Sequence, residues 1–103
     1  PIQRVQVYSR NEENRKRFCA EMSAQCQVPV EPVANPEEAA RDKDIVITAT
    51  TSRDPVLKGE WIREGTHLNV IGSNFLSKAE IDAAALRRCH PIVVDSKDQA
   101  HLE

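Results

Sequence analysis

The chain has 103 residues, with 14 basic and 16 acidic side chains, a formal net charge of -2 at pH 7 and a pI near 5.9. This length fits one compact domain, and the balanced charge gives no support for a nucleic-acid or membrane partner. No apolar run approaches the roughly 20 residues that span a bilayer.

The chain begins with a predicted strand and a predicted helix. Residues 4–8, RVQVY, alternate with period two and are β-branched, which is typical of a strand. Asn11 can then cap a helix, and two glutamates follow it in the first turn. Apolar side chains recur at positions i, i+4 and i+8, which predicts that the buried face of this helix carries Phe18, Met22 and Cys26.

Three further elements are predicted in the middle of the chain. The two prolines of VPVEPV, residues 28–33, favour an edge strand. Asn35, followed by Pro36 and two glutamates, is a strong helix start. Residues 44–50, DIVITAT, are apolar on both faces, as are the strands of a covered parallel sheet.

The second half of the chain continues this alternation. Residues 59–65 predict a short helical turn, and residues 66–72, THLNVIG, predict a strand. Ser77 stands three residues before Glu80, which predicts a capping box at the start of a helix. Residues 91–95, PIVVD, predict a last strand, after which Ser96 can cap a last helix. Strands that alternate with helices predict an α/β fold with a doubly wound, mostly parallel sheet that binds ligands at the carboxyl ends of its strands.

The glycines bear on whether this is a dinucleotide-binding sheet. The chain has three glycines and contains neither GxGxxG nor GxxxxGK[ST]. A Rossmann-type domain needs a glycine loop after its first strand, and here that loop could only precede Pro1. We therefore expect residues 1–103 to be a partial Rossmann-type domain of a longer enzyme, without its first strand. Because that strand is central in the order 3-2-1-4-5-6, residues 4–8 should not pair with residues 44–50.

The residues after the first predicted strand bear on the choice of dinucleotide. An NAD enzyme usually places a carboxylate there for the ribose 2′-hydroxyl, whereas an NADP enzyme places neutral and basic groups for the 2′-phosphate. Here Ser9, Arg10 and Asn11 follow, with Arg15 one turn into the helix. Because a guanidinium can fork onto a phosphate, this pattern favours NADP. A solvated arginine in a surface loop is the alternative.

A cluster of hydroxyl groups ends the central strand. The apolar run 45–47 is followed at once by Thr48, Thr50, Thr51 and Ser52. A ligand-binding loop is one interpretation, because α/β folds bind ligands at this end of a strand. An ordinary strand exit with satisfied hydroxyls is the other.

Four stretches of the chain closely resemble the ornithine cyclodeaminase/mu-crystallin family: VYSRNEENRKRFCAEM, DIVITATTSRDPVLKGEWIREGTHLNVIGSN, KAEID and IVVDSKDQAHLE. The resemblance covers nearly the whole chain, and its long central motif is specific. It implies a Rossmann-type NAD(P)-binding domain from an enzyme about three times as long. In that family the upstream part supplies the glycine loop, the substrate-binding lysine and arginine, and a dimerisation domain, so a homodimer is expected.

The resemblance also assigns residues to the cofactor. It implies that the segment recognising the adenosine ribose is Ser9, Arg10 and Asn11, and that the family's SR and NR variants there bind NADP. It implies that the loop beside the cofactor is Thr48, Ala49, Thr50, Thr51 and Ser52. It also implies that the strand end that passes the nicotinamide is Val70, Ile71 and Gly72. Thr50 and Ser52 should flank the nicotinamide ribose, with Asn74 facing the same cleft.

Asn74 departs from the family pattern. It falls where ornithine cyclodeaminases carry the catalytic aspartate of a GGD motif, whereas this chain has Gly72-Ser73-Asn74. An amide can neither act as a general base near neutral pH nor carry the charge that pairs with an amine. The departure favours an imine reductase or another amino-acid dehydrogenase over a true ornithine cyclodeaminase. A role for Asn74 in turning its loop is the alternative.

The resulting hypothesis is the NAD(P)-binding domain of an oxidoreductase that transfers hydride to or from a small α-amino or α-imino acid. NADP(H) is favoured and NAD(H) is possible, and the cofactor carries the hydride while the protein orients it. A non-catalytic NADP(H)- or small-ligand-binding protein is one alternative, for which Asn74 argues. A methyltransferase-like or receiver-like domain is another, but both need an acidic residue at an early strand end, where Ser9 and Arg10 stand.

The cysteines and histidines predict neither disulfides nor a metal. Three cysteines are an odd number without a CxxC motif, which favours reduced thiols in a cytoplasmic protein. The three histidines lack metal-ligand spacing.

Overall fold

The structure, a computed structural model, describes residues 2–72 and 79–92. It falls into two compact units divided after Ala39, so that one continuous domain stays a prediction. Strands and helices alternate as predicted, and both strand pairs are parallel, which confirms the α/β class. In chain order the elements are β1 (Val5–Val7), α1 (Glu12–Cys26), β2 (Val30–Pro32), α2 (Pro36–Ala40), β3 (Ile45–Thr48), a 3-10 turn (Gly59–Trp61), β4 (His67–Val70) and α3 (Ala83–Arg88).

The first unit is a β–α–β arrangement. Strand β1 pairs in parallel with β2, with Val5 opposite Val30, and Val33 N donates to Val7 O at 3.0 Å just beyond the ladder. Asn11 caps α1 as predicted, because its Oδ1 accepts from Asn14 N at 2.9 Å. Asn35 likewise caps α2, accepting from Glu38 N at 2.9 Å.

The predicted buried face of α1 is wrong for Phe18 and Cys26, and Met22 is half-buried. Phe18 is 47% exposed and Cys26 is exposed, whereas Arg15 and Cys19 are buried and Ser23 is half-buried. These three residues form an i, i+4, i+8 row of their own. Ser23 Oγ donates to the carbonyl of Val30 at 3.0 Å and accepts from its amide at 2.9 Å. Polar groups that bind the main chain therefore turn this face of the helix inward.

The second unit contains the apolar core. Strand β3 pairs in parallel with β4, with Ile45 opposite His67 and Thr48 opposite Val70. The core cluster consists of Ala40, Val46, Leu57, Trp61, Ile62 and Ala85. Val46 and Thr48 point towards the covered side, whereas Ile45 and Ile47 are 45% and 61% exposed. Both faces of β3 were predicted to be buried. Within the described residues, only the face that carries Val46 and Thr48 is covered.

The strand pairing bears on the expected gap in the sheet. In the part of the chain that the structure describes, β1 pairs with β2 and β3 pairs with β4, as two two-stranded sheets. Residues 4–8 and 44–50 belong to different units, so their predicted lack of pairing stays a prediction. The absent first strand itself stays a prediction.

Helix α3 begins later than predicted. Its N-cap is Asp82, whose carboxylate accepts from Ala85 N at 2.8 Å, and Glu80 lies before the helix. The predicted capping box is therefore wrong in its Glu80 half, and Ser77 lies outside the described residues. Most of the predicted strand 91–95 and the helix cap at Ser96 also lie outside them.

Candidate functional site

The carboxyl ends of β3 and β4 lie side by side. Ile71 N donates to Thr48 O at 2.8 Å, which continues the ladder one residue past β4. The loops at residues 48–52 and 70–72 therefore leave the sheet at the same edge, as adjacent parallel strands require. This brings together two of the three segments that sequence reasoning assigned to the cofactor.

One carboxylate joins these two loops. The side chain of Glu80 is fully buried; Oε1 accepts from Gly72 N at 2.7 Å, and Oε2 accepts from Thr50 N. Both donors belong to the main chain, two residues beyond the end of their strands. Glu80 was the residue that sequence reasoning missed, because its position before an apolar helix indicated a cap.

The main chain around Glu80 is fixed as well. Its carbonyl accepts from Val56 N at 2.7 Å and from Leu57 N at 3.0 Å. On either side, Ala79 N donates to Arg53 O at 3.2 Å and Asp82 N donates to Leu57 O at 3.2 Å. Residues 79–82 thus run along the loop 53–57, and this alignment directs the Glu80 side chain towards the strand ends.

Glu80 carries a buried negative charge. Burial by itself raises the pKa of its carboxyl, but the amide and hydroxyl of Thr50, the hydroxyl of Thr48 and the amide of Gly72 favour the anion, and the pKa lies below its ordinary value. Thr48 Oγ1 is itself buried and makes no hydrogen bond of full geometry within the described residues. The hydroxyl nevertheless lies close enough to the Glu80 carboxyl to lower the pKa of that group. The carboxylate is charged at neutral pH.

Gly72 is required by this arrangement. A Cβ at this position would lie 2.5 Å from Glu80 Oε2 and 2.6 Å from Glu80 Cδ, and would overlap the carbonyl oxygen of Thr50. The backbone carbonyl cannot move without disturbing β3. Gly72 thus leaves room for the carboxylate that binds its own amide.

The hydroxyl cluster shapes its own loop. Thr50 Oγ1 accepts from Ser52 N at 3.1 Å, and Ser52 Oγ donates to Asp54 O at 2.7 Å. Satisfied hydroxyls therefore account for these two side chains without a ligand. Ala49 and Thr51 are exposed on the same loop, as are Val70 and Ile71 on its neighbour. Contact of either loop with a cofactor stays a prediction.

The two arginines near the end of β1, Arg10 and Arg15, have different environments. The Arg15 guanidinium donates to Ser9 O through Nε at 3.1 Å and Nη2 at 2.7 Å, and to Val33 O through Nη1 at 2.7 Å. It also lies 4.7 Å from the centroid of the Tyr8 ring. Arg15 is buried and bound to the main chain, so it does not serve a phosphate beside Arg10, which is exposed.

The neighbours of Arg10 have local roles. The Asn11 side chain caps α1, and Ser9 Oγ donates to Asn11 O at 3.4 Å. Asn74, the predicted catalytic position, lies outside the described residues. Within the described ranges, no cluster of three or more His, Cys, Asp or Glu side chains is placed to hold a metal ion. Nor does any helix there have the length and apolarity to cross a membrane.

These features define an α/β domain of parallel strand pairs, with candidate ligand loops at the carboxyl ends of its strands. The chain belongs to the ornithine cyclodeaminase/mu-crystallin family, whose model matches residues 1–103. This confirms the resemblance on which the residue assignments rest.

Three similar proteins are informative. An alanine dehydrogenase of Archaeoglobus fulgidus is 37% identical over 102 residues, which cover 96% of this chain and 30% of that protein. The solved structure of the Thermococcus litoralis Δ1-pyrroline-2-carboxylate reductase in complex with NADH and L-proline has a TM-score of 0.80 and 41% identity, covering 84% of this chain and 27% of that one. An archaeal alanine dehydrogenase dimer with bound NAD has a TM-score of 0.88 and 37% identity, covering 96% and 30%. The chain thus spans about 30% of the length of these relatives.

Proposed function

We propose that the chain is the NADP(H)-binding part of an oxidoreductase that moves hydride between the nicotinamide and the carbon of a small α-amino or α-imino acid. The observation that carries the proposal is the sheet edge at which Thr48 O and Ile71 N join the two candidate loops. Relatives that share this domain have names of dehydrogenases and reductases, and two are solved with a nicotinamide dinucleotide. These names favour an enzyme over a non-catalytic binding protein.

The residues at this edge fit the nicotinamide half of a dinucleotide. The loops 48–52 and 70–72 leave the sheet beside each other, with exposed residues on both: Ala49, Thr50, Thr51, Val70 and Ile71. At Gly72 the main chain comes close to its neighbours without a side chain. When bound, the cofactor supplies the hydride donor or acceptor, and the protein supplies orientation. The loop 48–52 holds the ribose, and the strand end 70–72 fixes the face of the ring.

The preference for NADP(H) rests on Arg10. Arg10 is exposed three residues after β1, and Ser9 and Asn11 bring no carboxylate to this segment. A carboxylate there would repel a 2′-phosphate, whereas Arg10 can donate to it. The two solved relatives contain NADH and NAD, so the preference comes from this chain's own residues.

The test is turnover by the full-length protein that carries this chain. Purified protein should oxidise NADPH faster than NADH when supplied with Δ1-pyrroline-2-carboxylate or with pyruvate and ammonium, followed at 340 nm. A native preference for NADH would contradict the assignment of Arg10. Tight dinucleotide binding without turnover on any amino or imino acid would favour the non-catalytic alternative.

Asn74 supplies a second test of the chemistry. From the resemblance, we propose that it takes the position of the catalytic acid. The substitution Asn74→Asp in the full-length protein should then alter turnover or substrate choice tenfold or more, equivalent to about 1.4 kcal/mol. Unchanged kinetics on every substrate would leave Asn74 a loop residue.

We also infer that the full-length protein is a cytoplasmic homodimer. The archaeal alanine dehydrogenase is solved as a dimer, which supports the first half of this inference. Sedimentation equilibrium of the full-length protein should give twice the mass of one chain, and a monomer at micromolar concentration would contradict it.

A further inference from the structure

We propose that Glu80 is a positioning residue for dinucleotide binding. It sets the spacing and direction of the loops after β3 and β4 before any cofactor binds. The proposal rests on the function proposed above. In this role Glu80 does not contact the cofactor itself. It acts through Thr50 and Gly72, the two residues whose amides it binds.

The chemistry of the two amides selects a carboxylate. Two N–H donors from different loops converge on one side chain that is itself closed to solvent, and each donor is satisfied by one of its oxygens. An ionised glutamate is acceptor-only and offers one oxygen to each donor. A glutamine has the same shape, but it offers one oxygen and places its own NH2 donors against the second N–H.

The surroundings show that the site is built for this anion. The Glu80 carbonyl is held by the amides of Val56 and Leu57, so the main chain that carries the side chain is fixed. The missing Cβ of Gly72 leaves the space in which the carboxylate lies. The hydroxyls of Thr48 and Thr50 add to its stabilisation, and the charge is therefore kept away from solvent.

Preformed loops increase cofactor affinity because they are already ordered when the ligand arrives. The edge at residues 48–52 and 70–72 is proposed to face the nicotinamide half, which NAD(H) and NADP(H) share. Loss of the Glu80 clamp, meaning its two hydrogen bonds to the amides of Thr50 and Gly72, should therefore weaken both dinucleotides by the same factor. Arg10, in contrast, should discriminate between them.

The experiment compares four forms of the full-length protein: wild type, Glu80→Gln, Glu80→Asp and the control Glu64→Gln. Glu64 is exposed on the turn before β4, so Glu64→Gln makes the same chemical change at a position away from the two loops. Titration with NADPH and with NADH gives the dissociation constants. Amide hydrogen exchange without cofactor gives a second readout at Thr50 and Gly72, with the Ala85 amide, bound to Asp82, as the internal reference.

We expect Glu80→Gln to raise both dissociation constants tenfold or more by a common factor, and to speed exchange at Thr50 and Gly72 at least tenfold relative to Ala85. Glu80→Asp keeps the charge but is one methylene too short to reach both amides, so its losses should be intermediate. Glu64→Gln should match wild type. If Glu80→Gln does not fold, the intermediate losses of Glu80→Asp decide the matter.

Three results would overturn the role of Glu80: unchanged affinities in a variant with lowered melting temperature, a loss confined to one dinucleotide, or unchanged exchange at the two amides. The first would show a residue that stabilises the domain without positioning the loops. Failure of the wild type to bind either dinucleotide is distinguishable from all three, because it would refute the proposed function itself.

Discussion

Each of the two strand pairs has a buried charged side chain at its carboxyl ends, but the two charges have opposite signs. After β1 and β2, Arg15 donates to the carbonyls of Ser9 and Val33. After β3 and β4, Glu80 accepts from the amides of Thr50 and Gly72. In both units, one side chain from elsewhere in the sequence fastens the two loops that leave the sheet.

The difference in sign follows from the main chain. Where the loops turn carbonyl groups inward, a guanidinium with five donors and no acceptor satisfies them, and where they turn amides inward, a carboxylate does. Each of these charges is stabilised by hydrogen bonds with the main chain of the two loops beside it. A buried charge here is therefore a device for ordering loops.

The largest effect is expected from crowding the Glu80 side. The substitution Gly72→Ala places a Cβ against the Glu80 carboxylate and the Thr50 carbonyl, so it should lower the free energy of unfolding by about 3 kcal/mol. Gly65→Ala is the control, because Gly65 has a φ of 85° but nothing within 4 Å, and should cost about 1 kcal/mol. Urea unfolding of the full-length protein measures both, and equal costs would contradict the close packing at Gly72.

A smaller loss is expected on the Arg15 side. The substitution Arg15→Met keeps the aliphatic length but leaves the carbonyls of Ser9 and Val33 without their donors, which should cost about 2 kcal/mol. Arg17→Met, on the exposed side of α1, should change stability by less than about 0.5 kcal/mol. If both variants unfold at the same urea concentration, Arg15 does not hold its loops.

The neighbouring Arg10 should affect affinity instead of stability. The substitution Arg10→Ala should weaken NADPH binding by roughly 1.5 kcal/mol or more, the cost of a hydrogen bond to a charged group, and leave NADH binding nearly unchanged. Isothermal titration of the full-length protein gives both values. An equal loss for the two dinucleotides would place Arg10 away from the 2′-phosphate.

The smallest effect is a pH dependence that belongs to one of the two charges. The folded pKa of Glu80 is lower than its unfolded value, so its contribution is complete above the unfolded pKa and is lost as the pH falls through the folded pKa. The stability difference between wild type and Glu80→Gln should therefore be constant from pH 7 to 6 and shrink as the solution is acidified below pH 4.5. The difference between wild type and Arg15→Met should not follow this course, because that substitution removes no carboxylate. A Glu80 difference that grows on acidification would give the wrong sign.

The sequence predicts those parts of the fold that depend on near neighbours. Asn11 and Asn35 are predictable as caps because the amide that each one binds lies only three residues further along the chain. Strands β3 and β4 were identified because they are short apolar runs with polar exits. The adjacency of their loops followed from the rule that parallel strands share an edge.

The sequence does not predict the contacts that join distant segments. Glu80 binds an amide 30 residues away, and Arg15 binds a carbonyl 18 residues away. Both partners are main-chain groups, which every residue possesses, so no side-chain pattern identifies them. The wrongly predicted face of α1 has the same cause. The apolar pattern favours burial of Phe18, whereas the contacts of Arg15 with distant carbonyls, which the sequence does not reveal, bury the other face.

The Glu80 clamp binds the main-chain amides of the candidate loops. It does not bind the exposed side chains of these loops. Ala49, Thr51 and Ile71 are exposed. Among the described residues, the amides that bind the carboxylate belong to their neighbours Thr50 and Gly72. Substitutions at these positions therefore change the chemical lining of the edge without changing its shape. A domain built in this way can acquire a new ligand preference one side chain at a time, while the main-chain hydrogen bonds that order its loops stay unchanged.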